Sequence, residues 1–382
     1  MRWSWRETCA LCVPLVCLLA SCADQSNDAG LFADAGGGAD AAGRGGSSSG
    51  AGNGSGVRGD DAGAGDDGAS GDDGCCASPQ GEADGGAAGD DGGGGVGPEE
   101  SGAGGGAPHV CTGKQPTRRG LTSRSVTVAG ANRTYLVYLP QAGDPNQPVP
   151  LVYVHHGYTM SGQAMYQITG YAALADKEGI AVAFPDGEAG PNSLGAPWNV
   201  GSNVCGSGAL ATATGDDFDF VTAMRADIEK DQCIDGKHVF LTGFSMGGYF
   251  ANQVGCMRPD LARAVAPHSG GTHDFSTCVA GHVPVILFHG TADNLIAESC
   301  GTQARDEWVQ KNGCSTTTTS QPVKNGHCEV SQGCPADGQV TLCLFDGLGH
   351  AWAGGAPNLS FSDPNYESAT QLQWEFFKSH AW

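Results

Sequence analysis

From about residue 109 the chain alternates between short apolar runs and longer stretches of mixed polarity. The runs at 124–129 and 133–139 (RTYLVYL) flank a Gly-Ala-Asn turn and predict an antiparallel strand pair. Apolar runs at 150–155, 179–184, 237–243, 261–266, 283–289 and 339–345 predict six more strands. Helical segments are expected near 163–178, 217–231, 246–257, 300–311 and 366–380. Strands that are apolar almost throughout are buried on both faces. Their alternation with helices predicts an α/β fold with a mostly parallel sheet covered on both sides. About 270 residues suffice for one such domain.

Upstream the pattern is different. Residues 9–20 (CALCVPLVCLLA) form an apolar run behind Arg2 and Arg6, too short to span a bilayer comfortably and of signal-peptide length. It ends Leu19-Ala20-Ser21-Cys22, which resembles a bacterial lipobox. Cys22 is then expected to carry a diacylglycerol after cleavage. An ordinary signal peptide cut elsewhere is the alternative. Ala23 after the Cys favours onward transport from the inner membrane.

Residues 23–108 cannot build a core, because Gly supplies 30 of these 86 positions and Ala, Ser and Asp fill most of the rest. A flexible tether is expected, with an r.m.s. span of roughly 50 Å. Paired Asp residues recur at Asp60-Asp61, Asp66-Asp67 and Asp72-Asp73. A self-repelling linker explains them better than a calcium site. Nothing accounts for Cys75-Cys76. The chain thus divides into 1–22 (signal and lipid anchor), 23–108 (linker) and 109–382 (α/β domain).

The formal charge of -22 changes the picture only by exclusion. Nucleic acid is not an expected partner, since phosphate binding needs clustered Lys and Arg. Of 16 cysteines, ten fall in the domain from 109 onward. An even number in an exported domain predicts disulfides. Zinc is the rival, but paired C-x-x-C knuckles are lacking. Local pairings are expected: Cys328 with Cys334, Cys314 with Cys343, and Cys205 with Cys233.

Gly243-Phe244-Ser245-Met246-Gly247 follows the strand KHVFLTG and opens the segment MGGYFANQVGC. A G-x-S-x-G motif is weak alone. Its strand–elbow–helix setting is what a presented serine nucleophile needs. A serine hydroxyl also needs a base, and the base an orienting acid. In this fold they follow in the order Asp, then His. Asp293 lies just past the strand VPVILFH, and His350 lies on the Gly-flanked loop after QVTLCLF. The amides of Met246 and of Tyr158, which follows His156-Gly157, are the expected oxyanion donors. Asp216, Asp217 and Asp219 read as helix-capping residues. His268 and His289 read as structural, and His327 as a loop residue.

These residues resemble the extracellular esterases grouped with polyhydroxybutyrate depolymerases, including feruloyl and acetylxylan esterases of carbohydrate esterase family one. The resemblance runs from about 120 to 380, through VPLVYVHHG, Trp198-Asn199, Asp216-Asp217-Phe218, KHVFLTGFSMGG, VPVILFHGTAD and CLFDGLGHAW. It implies an α/β-hydrolase fold, a Ser245-Asp293-His350 triad, and neither metal nor organic cofactor. Tyr158 departs from the small or polar residue usual after His-Gly. The cysteines from 314 to 343 tilt the expectation towards plant-wall esters. Trp198 and Trp352 are expected at the active site, as stacking surfaces for a sugar or aryl ring or as core. The expected substrate is a polymer-linked ester, with polyester, feruloyl and acetyl esters left open. A prolyl-oligopeptidase-like peptidase and a non-catalytic surface lipoprotein are the rivals. The first lacks its propeller repeats, and the second would have no use for an intact triad.

Overall fold

A computed structural model describes residues 111–115, 118–188, 195–201, 204–206, 215–272 and 275–380. The signal segment with Cys22, the acidic linker and Cys75-Cys76 lie outside the described residues.

Ten strands make one sheet. They are β1 (Gly120–Val128), β2 (Ala131–Leu139), β3 (Val149–His155), β4 (Ala181–Pro185), β5 (Ile234–Phe244), β6 (Ala264–His268), β7 (Val285–Gly290), β8 (Thr318–Val323), β9 (Gly326–Ser331) and β10 (Val340–Phe345). Their order is β1-β2-β4-β3-β5-β6-β7-β10-β9-β8. The six central strands from β4 to β10 run parallel. An antiparallel pair closes each edge. A two-residue ladder joins β11 (Trp352–Ala353) to β12 (Ser362–Asp363).

Side chains alternate between two apolar layers, as the period of two requires. Leu151, Tyr153, Val239 and Leu241 face one layer, with α3 (Asp217–Ile228), α4 (Met246–Met257) and α5 (Glu298–Asn312) over it. Val152, Val154, Phe240 and Phe244 face the other, under α1 (Gly162–Thr169), α2 (Tyr171–Glu178) and α6 (Ala369–Ser379). This is the doubly covered, mostly parallel sheet that the apolar runs predict, in the α/β-hydrolase arrangement that the resemblance implies.

Four readings need correction. The helix expected over 163–178 is two helices, because Gly170 adopts a left-handed conformation (φ 72°) between them. The hairpin β8–β9 falls where no strand was expected, and it carries His327, which is therefore a strand residue. Of the three aspartates, Asp216 caps α3 by accepting the Asp219 amide at 3.1 Å. Asp217 instead forms a buried ion pair with Arg133 at 2.7 Å and accepts the Asn199 amide at 2.6 Å. The disulfides are Cys111–Cys233, Cys205–Cys300, Cys256–Cys278, Cys314–Cys334 and Cys328–Cys343. All ten cysteines are bridged, but not in the expected pairs. Cys328 and Cys343 stand directly opposite each other on β9 and β10. That register leaves Cys334 to meet Cys314.

Candidate active site

Ser245 sits between β5 and α4 with φ 54° and ψ -116°. An L-residue rarely holds a positive φ, and such strain marks functional turns. The turn is fastened by the Ser245 amide, which donates to the His268 carbonyl at 2.8 Å. Its glycines are required by close approach. A Cβ on Gly243 would lie 2.2 Å from the Gly247 carbonyl, and one on Gly247 would lie 2.3 Å from the His155 carbonyl. The elbow is thus pressed against the end of β3.

Asp293 and His350 meet across the ends of β7 and β10. Asp293 Oδ2 accepts His350 Nδ1 at 2.7 Å. Its Oδ1 accepts the amides of Leu295 and Ile296 at 3.0 and 2.9 Å. Burial alone would raise the carboxyl's pKa. The hydrogen bond and charge of His350, with the Ile296 amide, outweigh it and hold Asp293 below its ordinary value. Because the carboxylate only accepts, His350 carries its proton on Nδ1 and leaves Nε2 to act as a base. The two loops are tied together by Ala292 N donating to Leu348 O at 3.0 Å and Gly347 N to Thr291 Oγ1 at 2.8 Å. The His350 ring packs on Phe244, the residue before Ser245, with centroids 4.8 Å apart. Among the described residues Ser245 Oγ makes no hydrogen bond, and catalytic hydrogen bonds often tighten only around substrate.

The loop after β3 runs past the same place. A Cβ on Gly157 would lie 3.1 Å from Ser245 Cβ. The amides of Tyr158 and Met246 donate to no described residue, which leaves two N–H groups on the segments around Ser245. The Tyr158 ring is half-buried against the core, so a large residue is tolerated there. His156 holds this loop: its Nε2 accepts the Gly187 amide at 2.9 Å, and its carbonyl accepts Trp198 Nε1 at 2.8 Å.

Trp198 and Trp352 have no exposed surface. Neither offers a ring face to a sugar, which corrects the stacking reading. Trp352 stacks on His268 at 4.9 Å, and Trp198 on Phe250 at 5.6 Å. Among the described residues no group of three or more His, Cys, Asp or Glu side chains is placed to share a metal ion.

Three histidines contribute more than the sequence suggests. His156 and His268 brace the Ser245 turn and its neighbours. His289 Nε2 donates to Ile296 O at 2.9 Å and lies 3.6 Å from Asp293 Oδ2, so it fixes the turn that holds Asp293. Their positions at strand ends were the only available signal.

Residues 126–337 match the Esterase family, described as putative esterase. Feruloyl esterase D of Neurospora crassa is 30% identical over 289 residues, spanning 71% of this chain and 90% of that protein. Feruloyl esterase C of Emericella nidulans is 31% identical over 279 residues, spanning 69% and 89%. An acetyl xylan esterase from Aspergillus awamori superposes with a TM-score of 0.48 at 17% identity, covering 68% of this chain and 99% of that one. The chain belongs to the esterase family and is a feruloyl esterase-type α/β-hydrolase.

Proposed function

We propose that the protein is an exported serine hydrolase that cleaves feruloyl or acetyl esters carried by plant cell-wall polysaccharide. The observation that carries this is the 2.7 Å Asp293–His350 pair, whose ring lies against the residue preceding the strained Ser245. His350 Nε2 removes the Ser245 proton as Oγ attacks the ester carbonyl. The amides of Met246 and Tyr158 hold the resulting oxyanion. Collapse breaks the bond to the alcohol, which leaves with the proton from His350. Water, activated by the same ring, then frees the acid and restores Ser245. Asp293 fixes the imidazole tautomer and stabilises the imidazolium.

The names of the relatives support plant-wall esters over polyester. Five bridges among the described residues support export to an oxidising compartment. Cys22 is proposed as the lipid-anchored residue and 23–108 as the tether. Methyl ferulate, acetylated xylan and a hydroxybutyrate oligomer, assayed side by side with the wild type and Ser245→Ala, test the reading. Hydrolysis of either of the first two, lost in the variant, is expected. Activity that survives Ser245→Ala would remove the assignment.

A further inference from the structure

We infer that the buried Arg133–Asp217 ion pair is a positioning pair for the oxyanion site, where it sets the direction of the Tyr158 amide through His156. This rests on the ester-hydrolase reading above.

A peptide group is planar and trans, so its N–H points opposite to its C=O. The Tyr158 N–H and the Gly157 carbonyl belong to one peptide group. Whatever fixes the Gly157 oxygen therefore aims the Tyr158 amide. That oxygen lies 2.7 Å from His156 Nδ1 and accepts the Met160 amide at 3.0 Å. His156 Nε2 accepts the Gly187 amide at 2.9 Å, so the ring proton sits on Nδ1 and is donated to Gly157. Burial holds the ring below its ordinary pKa. A neutral ring can donate on one side while it accepts on the other.

His156 is gripped from two sides, and both lead to the ion pair. Gly187 follows Asp186, whose carbonyl accepts Arg133 Nη2 at 3.3 Å. The Asp186 carboxylate is pinned as well, accepting the Gly162 amide at 2.8 Å and the Thr134 hydroxyl at 2.9 Å. On the other side, Trp198 Nε1 donates to the His156 carbonyl at 2.8 Å. The next residue, Asn199, gives its amide to Asp217 Oδ2 at 2.6 Å. Arg133 Nη2 closes the circuit on Asp217 Oδ1 at 2.7 Å. The guanidinium lies over the Phe220 ring, 4.2 Å from its centroid.

Arg133 and Asp217 are only 5% and 2% exposed. Taking two charges out of water costs about as much as their attraction returns, so such a pair adds little to stability. Burial raises the Asp217 pKa in spite of Arg133 and the Asn199 amide, which reflects that cost. What the pair supplies is direction. It locks β2, α3 and the segments carrying Asp186 and Asn199 at one point. The peptide that meets the developing oxyanion is locked with them.

Two variants test this. Arg133→Met/Asp217→Leu removes both charges and fills their space with apolar groups, and Asp217→Asn keeps the shape of the acid. The readouts are melting temperature, kcat and KM on p-nitrophenyl acetate, and affinity for a trifluoromethyl ketone. Ser245 Oγ adds to the ketone carbon, its proton passes to His350, and the ketone oxygen becomes an oxyanion in the site.

Both variants are expected to fold and to lose about tenfold in kcat and in ketone affinity, with KM within about twofold. Removing an oxyanion donor outright costs about 10²–10³-fold, and a donor turned aside costs less. In a His156→Phe background the Asp217→Asn loss should vanish, because both act on one peptide. Folded variants with unchanged kcat would overturn the inference and leave the hydrolase reading intact. So would a loss confined to KM, or one that persists undiminished beside His156→Phe. If the double variant does not fold, Asp217→Asn decides by the same readouts; if neither folds, the pair is structural and the inference falls. A wild type that neither cleaves the ester nor binds the ketone would overturn both readings.

Discussion

The His268 carbonyl accepts the Ser245 amide at 2.8 Å, while the His268 ring accepts the Ala353 amide through Nε2 at 3.2 Å. One residue thus fastens the nucleophile's turn and the segment just past His350. Burial pushes the ring's pKa well below its ordinary value, so Nε2 stays a neutral acceptor. His268→Phe would keep the stacking on Trp352 but orphan the Ala353 amide, at a cost of about 1–3 kcal/mol. We expect kcat to fall about tenfold with KM within about twofold. A lower melting temperature with kcat unchanged would show a purely structural residue.

Asp293→Asn is predicted to cut kcat by about 10³–10⁴-fold, because an amide beside Nδ1 favours the wrong imidazole tautomer. Circular dichroism should show the sheet intact. Residual activity above a tenth of wild type would refute the assignment of Asp293 as the orienting acid.

Acid should destabilise the protein well before its carboxylates titrate. Burial lowers the pKa of His155, His156, His268 and His289, that of His155 from 6.5 to about 3. The unfolded chain takes up these protons near pH 6.5 and the folded chain does not. Stability therefore falls as pH drops below that value, by about 2 kcal/mol at pH 5 from His155 alone. Asp293 acts lower: its folded pKa is depressed, so its contribution is present above 3.8 and lost as pH falls through the lower value. Urea midpoints at pH 7.5, 6 and 5 check this, and a flat series would contradict it.

Non-reducing peptide maps should recover Cys314–Cys334 and Cys328–Cys343. A Cys328–Cys334 peptide would be incompatible with the β9–β10 register.

The lipid anchor is checked by intact mass of protein taken from its native membranes. A diacylglycerol on Cys22 is expected. A population that begins uniformly beyond residue 22 would exclude it.

What the sequence disclosed follows burial. The central strands are apolar throughout, so their positions could be read directly, and the elbow, Asp293 and His350 followed from strand ends. The hairpin β8–β9 could not be read. Five of the six residues of β8 are exposed, and Pro322 interrupts it. An edge strand with nothing to bury leaves no periodic signal. The two bridges between residues 314 and 343 depend on that hairpin, so their pairing was lost with it. The bracing role of His156, and the particular partners of His268, stayed hidden, because both work through contacts with residues far away in the chain.

The bridges overlap in sequence. Cys111–Cys233 and Cys205–Cys300 together span every bond from 111 to 300, and Cys314–Cys334 with Cys328–Cys343 span every bond from 314 to 343. The gap between 300 and 314 is almost all α5, where the helical backbone resists a protease. A single cut elsewhere between 111 and 343 would leave one covalent molecule, with the Ser245 elbow still tied to its neighbours. For an enzyme exported as proposed, a nick need not be the end of its service.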